Sequence, residues 1–158
     1  MDDTVAIATV ALILHGLAAV VWVGGMFFAL LVLRPTTGPL EPGPRLELWS
    51  RVLNRFFTWV FVAIVLLLAS GYGMVFWVFA GFRGIGLHVD IMQGLGIVMM
   101  LLFFHLYFAP WRRFRAALAR QDYPAAARQL GQIRAIVTVN LVLGLVTVAV
   151  GTSGRYWG

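Results

Sequence analysis

Apolar residues in this chain come in long runs, broken by short clusters of arginine, proline and glycine. A membrane-crossing helix needs about 20 consecutive, mainly apolar residues. Four stretches approach or exceed that length: about 5–33, 56–80, 89–109 and 133–150. The first stops at Arg34-Pro35, the third at Pro110-Trp111-Arg112-Arg113, and the fourth among Gly151 and Gly154. Runs this long, without strand-like alternation, imply a bilayer as solvent. The predicted fold is all-α, a single four-helix transmembrane domain over residues 1–158. Short connections between successive spans make it an antiparallel bundle.

Composition strengthens this picture. The chain is 61% hydrophobic and 11% charged, whereas a soluble domain carries about a quarter charged residues. It has no cysteine, so disulfides, thiolate metal sites and iron–sulfur clusters are excluded. The acidic start Met1-Asp2-Asp3 differs from the basic start of a cleavable signal, so the first run reads as a retained helix.

Charge adds an orientation. The net charge is +6, and every basic side chain apart from the histidines is arginine. Arg34, Arg45, Arg51 and Arg55 lie in or beside the first connection. Arg112, Arg113, Arg115, Arg120, Arg128 and Arg134 lie in or beside the third. Only Arg83 and Arg155 fall on the other side. The excess of arginine puts connections one and three in the cytoplasm and both termini on the periplasmic side of a bacterial inner membrane. Arg34 and Arg55 read as interfacial anchors, and the Ala- and Arg-rich stretch from Arg113 to Gln132 as partly helical. Contact with the lipid bilayer explains the charge better than nucleic acid, which is not an expected partner.

The candidate chemistry lies in the spans. His15, His88 and His105 are all in or at the edge of one, where an ionisable group is costly and usually has a task. Ala8, Ala18, Ala19, Trp22 and Met26 share the face of His15 by helical periodicity. Small neighbours leave room for a flat macrocycle, and equally let helices approach closely. His88, Met92 and Met99 line one face of the third helix, a set suited to haem iron or to Cu(I); methionine also serves as plain apolar filling. His105 is about 25 Å beyond His88 along the helix, so the two cannot share a metal ion. His15 therefore has two candidate partners at different depths. Asn140, Gly144, Thr147 and Gly151 share a small, weakly polar face that suits close packing with an interhelical hydrogen bond. Arg83 and Arg155, near the outer edge, could pair with carboxylates such as haem propionates. Tyr156 and Trp157 fit an aromatic belt. No phosphate loop, nucleophile elbow or paired carboxylates appear, and Gly24-Gly25 lies mid-span, where it serves helix packing.

The stretch from Leu14-His15 to Trp22, Gly24-Gly25 and Met26 resembles the copper-resistance D (CopD) family. Arg55-Phe56-Phe57, Ser70-Gly71 and Leu87-His88 resemble it too. A related resemblance is to HemJ-type protoporphyrinogen oxidases, small four-helix membrane proteins that bind haem b. It rests on His15, Trp22, His88, His105 and Arg112-Arg113. This chain has Asp90 where those oxidases carry a lysine, so the likeness implies haem more than that oxidase activity. The HemJ likeness implies a membrane haem protein with His15 and His88, or else His105, as axial ligands. Electron transfer, or a redox step coupled to quinone or another membrane redox protein, would follow. The CopD likeness implies copper transport, with His15, His88, His105 and Met92 as candidate metal ligands. A non-catalytic assembly subunit is a third reading, and a homodimer fits the small residues on the spans.

Overall fold

The computed structural model describes residues 3–77, 81 and 86–157, with Arg155 described by its backbone alone. Four helices are long and apolar enough to cross a membrane: α1 (Asp3–Thr36), α2 (Pro42–Trp77), α3 (Leu87–Ala119) and α4 (Tyr123–Ser153). No strand occurs among the described residues. The structure is the all-α bundle that the apolar runs predict, and each helix outlasts its run. Both arginine-rich segments are helical, α2 from Pro42 onward and Arg112–Ala119 at the end of α3.

Two prolines leave visible marks. Pro35 lacks an N–H, and its ring crowds the carbonyl one turn back. The preceding turn, Phe28–Leu33, widens to π form, with the Arg34 N–H bonded to the Ala29 carbonyl. Pro110 sits inside a second π turn, Tyr107–Trp111. Each π turn therefore lies just before an arginine that begins the interfacial end of its helix.

The arginine-end connections are tight. After α3, Gln121 adopts a left-handed φ of 57°. The Asp122 carboxylate then caps α4 by accepting the Ala125 N–H at 3.0 Å, with Pro124 in the first turn, where its missing N–H costs nothing. Between α1 and α2, buried Thr37 donates to the Arg34 carbonyl at 3.1 Å and accepts from Trp49 Nε1 at 3.1 Å.

In space α1 lies along α2, α3 lies along α4, and α1 also meets α4. Aromatic rings join α2 to α3. Phe57 meets Phe103, Tyr107 and Trp111, and Phe61 meets Phe103 and Tyr107. These contacts are edge-on, the arrangement that the ring quadrupole favours. Trp111, Phe57, Phe114, Met26, Leu46 and Val60 are fully buried around them. In a bilayer, lipid replaces water as the competitor, so close packing of this kind supplies the association energy.

The core occupies one half of the bundle. On α1 the first buried residue is Ala18, and on α3 it is Met99. Towards the termini, α2 contributes buried Ser70 and Val75, and beyond Gly144 the next buried residue on α4's path is Gly154. The half nearer the arginines is filled. The half nearer the termini is thinly packed, and it holds His15, His88 and Met92.

Candidate functional site

Two seams carry the candidate residues. On the first, between α1 and α2, His15 Nδ1 lies 3.0 Å from Ser70 Oγ. The Ser70 hydroxyl has one proton, and its shorter contact among neighbouring carbonyls is to Leu66. That assigns the shared proton to His15, with Nδ1–H donating to Ser70. Nε2 is then left with its lone pair, the form in which imidazole binds a metal. Gly71 makes the approach possible: a Cβ there would stand 3.3 Å from His15 Cε1. Trp22 is two turns nearer the core, buried edge-on against Phe103 at 6.3 Å between ring centroids.

The second seam joins α3 to α4. Here His88, Met92 and Met99 face the small residues of α4. A Cβ on Gly154 would overlap the His88 side chain. One on Gly151 would stand 2.9 Å from Met92 Sδ, and one on Gly144 would stand 3.1 Å from Met99 Cε. Thr147 Oγ1 lies 3.9 Å from Met99 Sδ and gives its proton to the Leu143 carbonyl at 2.8 Å. Asn140 Nδ2 donates across the seam to the Met99 carbonyl at 3.1 Å, the interhelical bond that its face suggested. The Trp157 ring stands over His88 at 6.5 Å between centroids. The result is a row of one imidazole and two thioethers running inward from the terminal edge, against Gly154, Gly151, Thr147 and Gly144.

The other candidates are not drawn into this arrangement. His105 is exposed on the outer surface of α3, flanked by exposed Leu101 and Phe108. Asp90 is exposed and Gln93 half-buried. Arg83 and the side chain of Arg155 lie outside the described residues. Among the described residues, no three His, Cys, Asp or Glu side chains gather as a metal cage.

Ser70 is a hydrogen-bond partner of His15 that helical periodicity on α1 could not reveal, because the pairing spans 55 residues. Its signal in the chain was a hydroxyl beside a glycine, Ser70-Gly71, deep in an apolar run. Gly154 is similar: it reads as a helix terminator and proves to be the surface on which His88 rests.

Residues 50–153 match the model of the family described as Copper resistance protein D. The match covers most of α2 and all of α3 and α4, and leaves His15 outside it. An uncharacterized protein from Aquifex aeolicus (strain VF5) is 30% identical over 145 residues, covering 91% of this chain and 92% of that protein. No solved structure matches. With the family model matching more than half of the chain, this protein belongs to the copper resistance protein D (CopD) family.

Proposed function

We propose that this protein binds Cu(I) within the membrane and passes it along the α3–α4 seam. Thioether sulfur and neutral imidazole are the soft donors that Cu(I) prefers, and it is content with few of them. His88, Met92 and Met99 offer such donors at successive depths, about 6 and then 10 Å apart along the helix axis. A path needs stations that hold the ion and also release it, and a row of sparse donors suits that better than a closed cage. The single observation that carries the reading is this row set against the glycine face of α4. Family membership supports it independently. With the arginine end in the cytoplasm, His88 stands at the outer mouth and the row leads inward.

The test is Cu(I) binding by protein purified in mild detergent, with metal and pigment analysis on one sample. The wild type is expected to bind Cu(I), and Met92→Ala to lose affinity at least tenfold. Unchanged binding in Met92→Ala and Met99→Ala together would remove the path.

One observation favours a second reading. His15 is held with Nε2 free, on a seam separate from the methionines and in the thinly packed half. A haem b ligated there would make the protein a membrane redox component, an enzyme if it also turns over a substrate such as quinone. Protein from haem-replete cells would then show a Soret band that His15→Ala abolishes. A colourless sample that binds copper stoichiometrically leaves the copper reading standing.

A further inference from the structure

At the arginine end, away from His15 and from the His88–Met99 row, lies a cavity of about 550 Å³. Its walls come from the end of α1, the Thr37–Gly38 connection, the start of α2 and the first turns of α4. Three arginines line it: Arg34, Arg45 and Arg134. They are close enough that the charges of Arg34 and Arg45 act on Arg134. Among the described residues the ion pair formed is Arg51–Glu47, and no carboxylate pairs with any of these three. Arg45 Nη1 donates to the Gly38 carbonyl at 3.3 Å, a neutral acceptor that leaves its charge uncompensated.

Arginine stays protonated at any ordinary pH. Three such charges around one cavity, with Arg45 and Arg134 half-buried, repel one another and cannot escape by losing a proton. An anion in the cavity relieves that repulsion, and the guanidinium fork fits phosphate oxygens two at a time. The frame is also held in advance. Thr37 ties the Arg34 backbone to the Trp49 indole through two hydrogen bonds.

Behind the cavity's inner wall the core is packed, leaving only about 10 Å³ between Ala29, Leu53, Phe56, Ile133 and Val137. The cavity and this gap share Leu30, Trp49, Leu130 and Arg134. A cationic chamber at the interfacial end of the spans, with exposed Leu31 in its lining, matches an anion whose hydrocarbon tail stays in the surrounding bilayer. We propose that this cavity binds the phosphate headgroup of an acidic phospholipid, held by Arg34, Arg45 and Arg134, with its acyl chains in the bilayer beside Leu31. The arginines at this end thus include a specific lipid site as well as the orienting charge.

The experiment uses the full chain purified in neutral detergent and placed in phosphatidylcholine nanodiscs. Phosphatidylglycerol is added as a minor component, and retained lipid is measured by native mass spectrometry. Wild type is expected to retain phosphatidylglycerol. The triple variant Arg34→Gln, Arg45→Gln, Arg134→Gln is expected to retain less than a tenth as much. Arg120→Gln, an exposed arginine off the cavity, is expected to match wild type. Should the triple variant fail to fold, Arg45→Gln alone is expected to reduce retention at least threefold. Equal retention by wild type and Arg45→Gln, or an equal loss in Arg120→Gln, overturns the site. A parallel thermal melt with inorganic phosphate separates the sources: stabilisation by phosphate alone, matching that by phosphatidylglycerol, overturns the lipid assignment.

Discussion

The two ends of this bundle are built on different principles. The arginine half is filled by aromatic and branched side chains, with Phe57, Val60, Trp111 and Phe114 almost wholly removed from the surroundings. The terminal half buries few residues and brings helices together through glycines, hydroxyls and the side chains that rest on them. A packed end holds the fold. A thin end sets His15, His88 and Met92 against glycines and a hydroxyl. Stability and candidate chemistry are thus separated along the membrane normal, which lets one be altered without the other.

Truncation tests that separation most severely. Phe57→Ala removes a ring at the junction of α2 and α3 and is expected to cost about 3 kcal/mol or more. Ile7→Ala, on the exposed terminal part of α1, is expected to stay within about 0.5 kcal/mol. Unfolding by titration with a denaturing detergent measures both. Similar losses would mean that the two ends contribute alike.

A smaller effect should appear at the thin end, in binding. Ser70→Ala leaves the His15 ring unoriented. Loss of such an orienting partner typically weakens metal ligation by about 10–100-fold. Stability is expected to fall by under about 1 kcal/mol, since interhelical hydrogen bonds in membranes average about 0.6 kcal/mol. If haem affinity is unchanged in Ser70→Ala, Ser70 does not orient a ligand at His15.

Asn140 marks the boundary between the halves. Its Nδ2 is satisfied by the Met99 carbonyl, while its Oδ1 is buried without a partner. Asn140→Leu forfeits the bond and also removes the orphaned acceptor, so the two effects offset. The expected change in unfolding free energy is below about 1 kcal/mol; a loss of several would show that this link organises the seam.

The smallest shifts come from glycine pairs. A Cβ at Gly24 meets nothing within 4 Å, whereas one at Gly151 meets the Met92 thioether. Gly24→Ala is expected to be neutral or stabilising by up to about 1 kcal/mol. In Gly151→Ala the flexible Met92 can shift, so stability changes little while Cu(I) binding falls. Equal binding by the two variants would detach the glycine face from the copper path.

Much of the architecture was readable from the chain. Runs of apolar residues marked the four helices, because a bilayer tolerates only backbone that satisfies its own hydrogen bonds. The His88, Met92 and Met99 face was also readable, since residues on one helix share a face by arithmetic. So was the interhelical bond of Asn140. What escaped was every relation between helices distant in sequence. Ser70 as the partner of His15 depends on how α1 and α2 are turned about their axes. The exposure of His105 depends on which side of α3 meets α4. Arg34, read with Arg55 as an interfacial anchor, also lines a cavity with Arg45 and Arg134.

By itself, the sequence determined that this protein is a membrane-embedded helical bundle with a basic end. Length, hydropathy and charge act locally, so they survive without knowledge of the packing. Only the tertiary structure decided which half is dense, which histidine has an orienting partner and which arginines converge. Those outcomes rest on helix rotation and on close contact at glycines and aromatic rings, and apolar runs do not encode them because every face of a span is apolar.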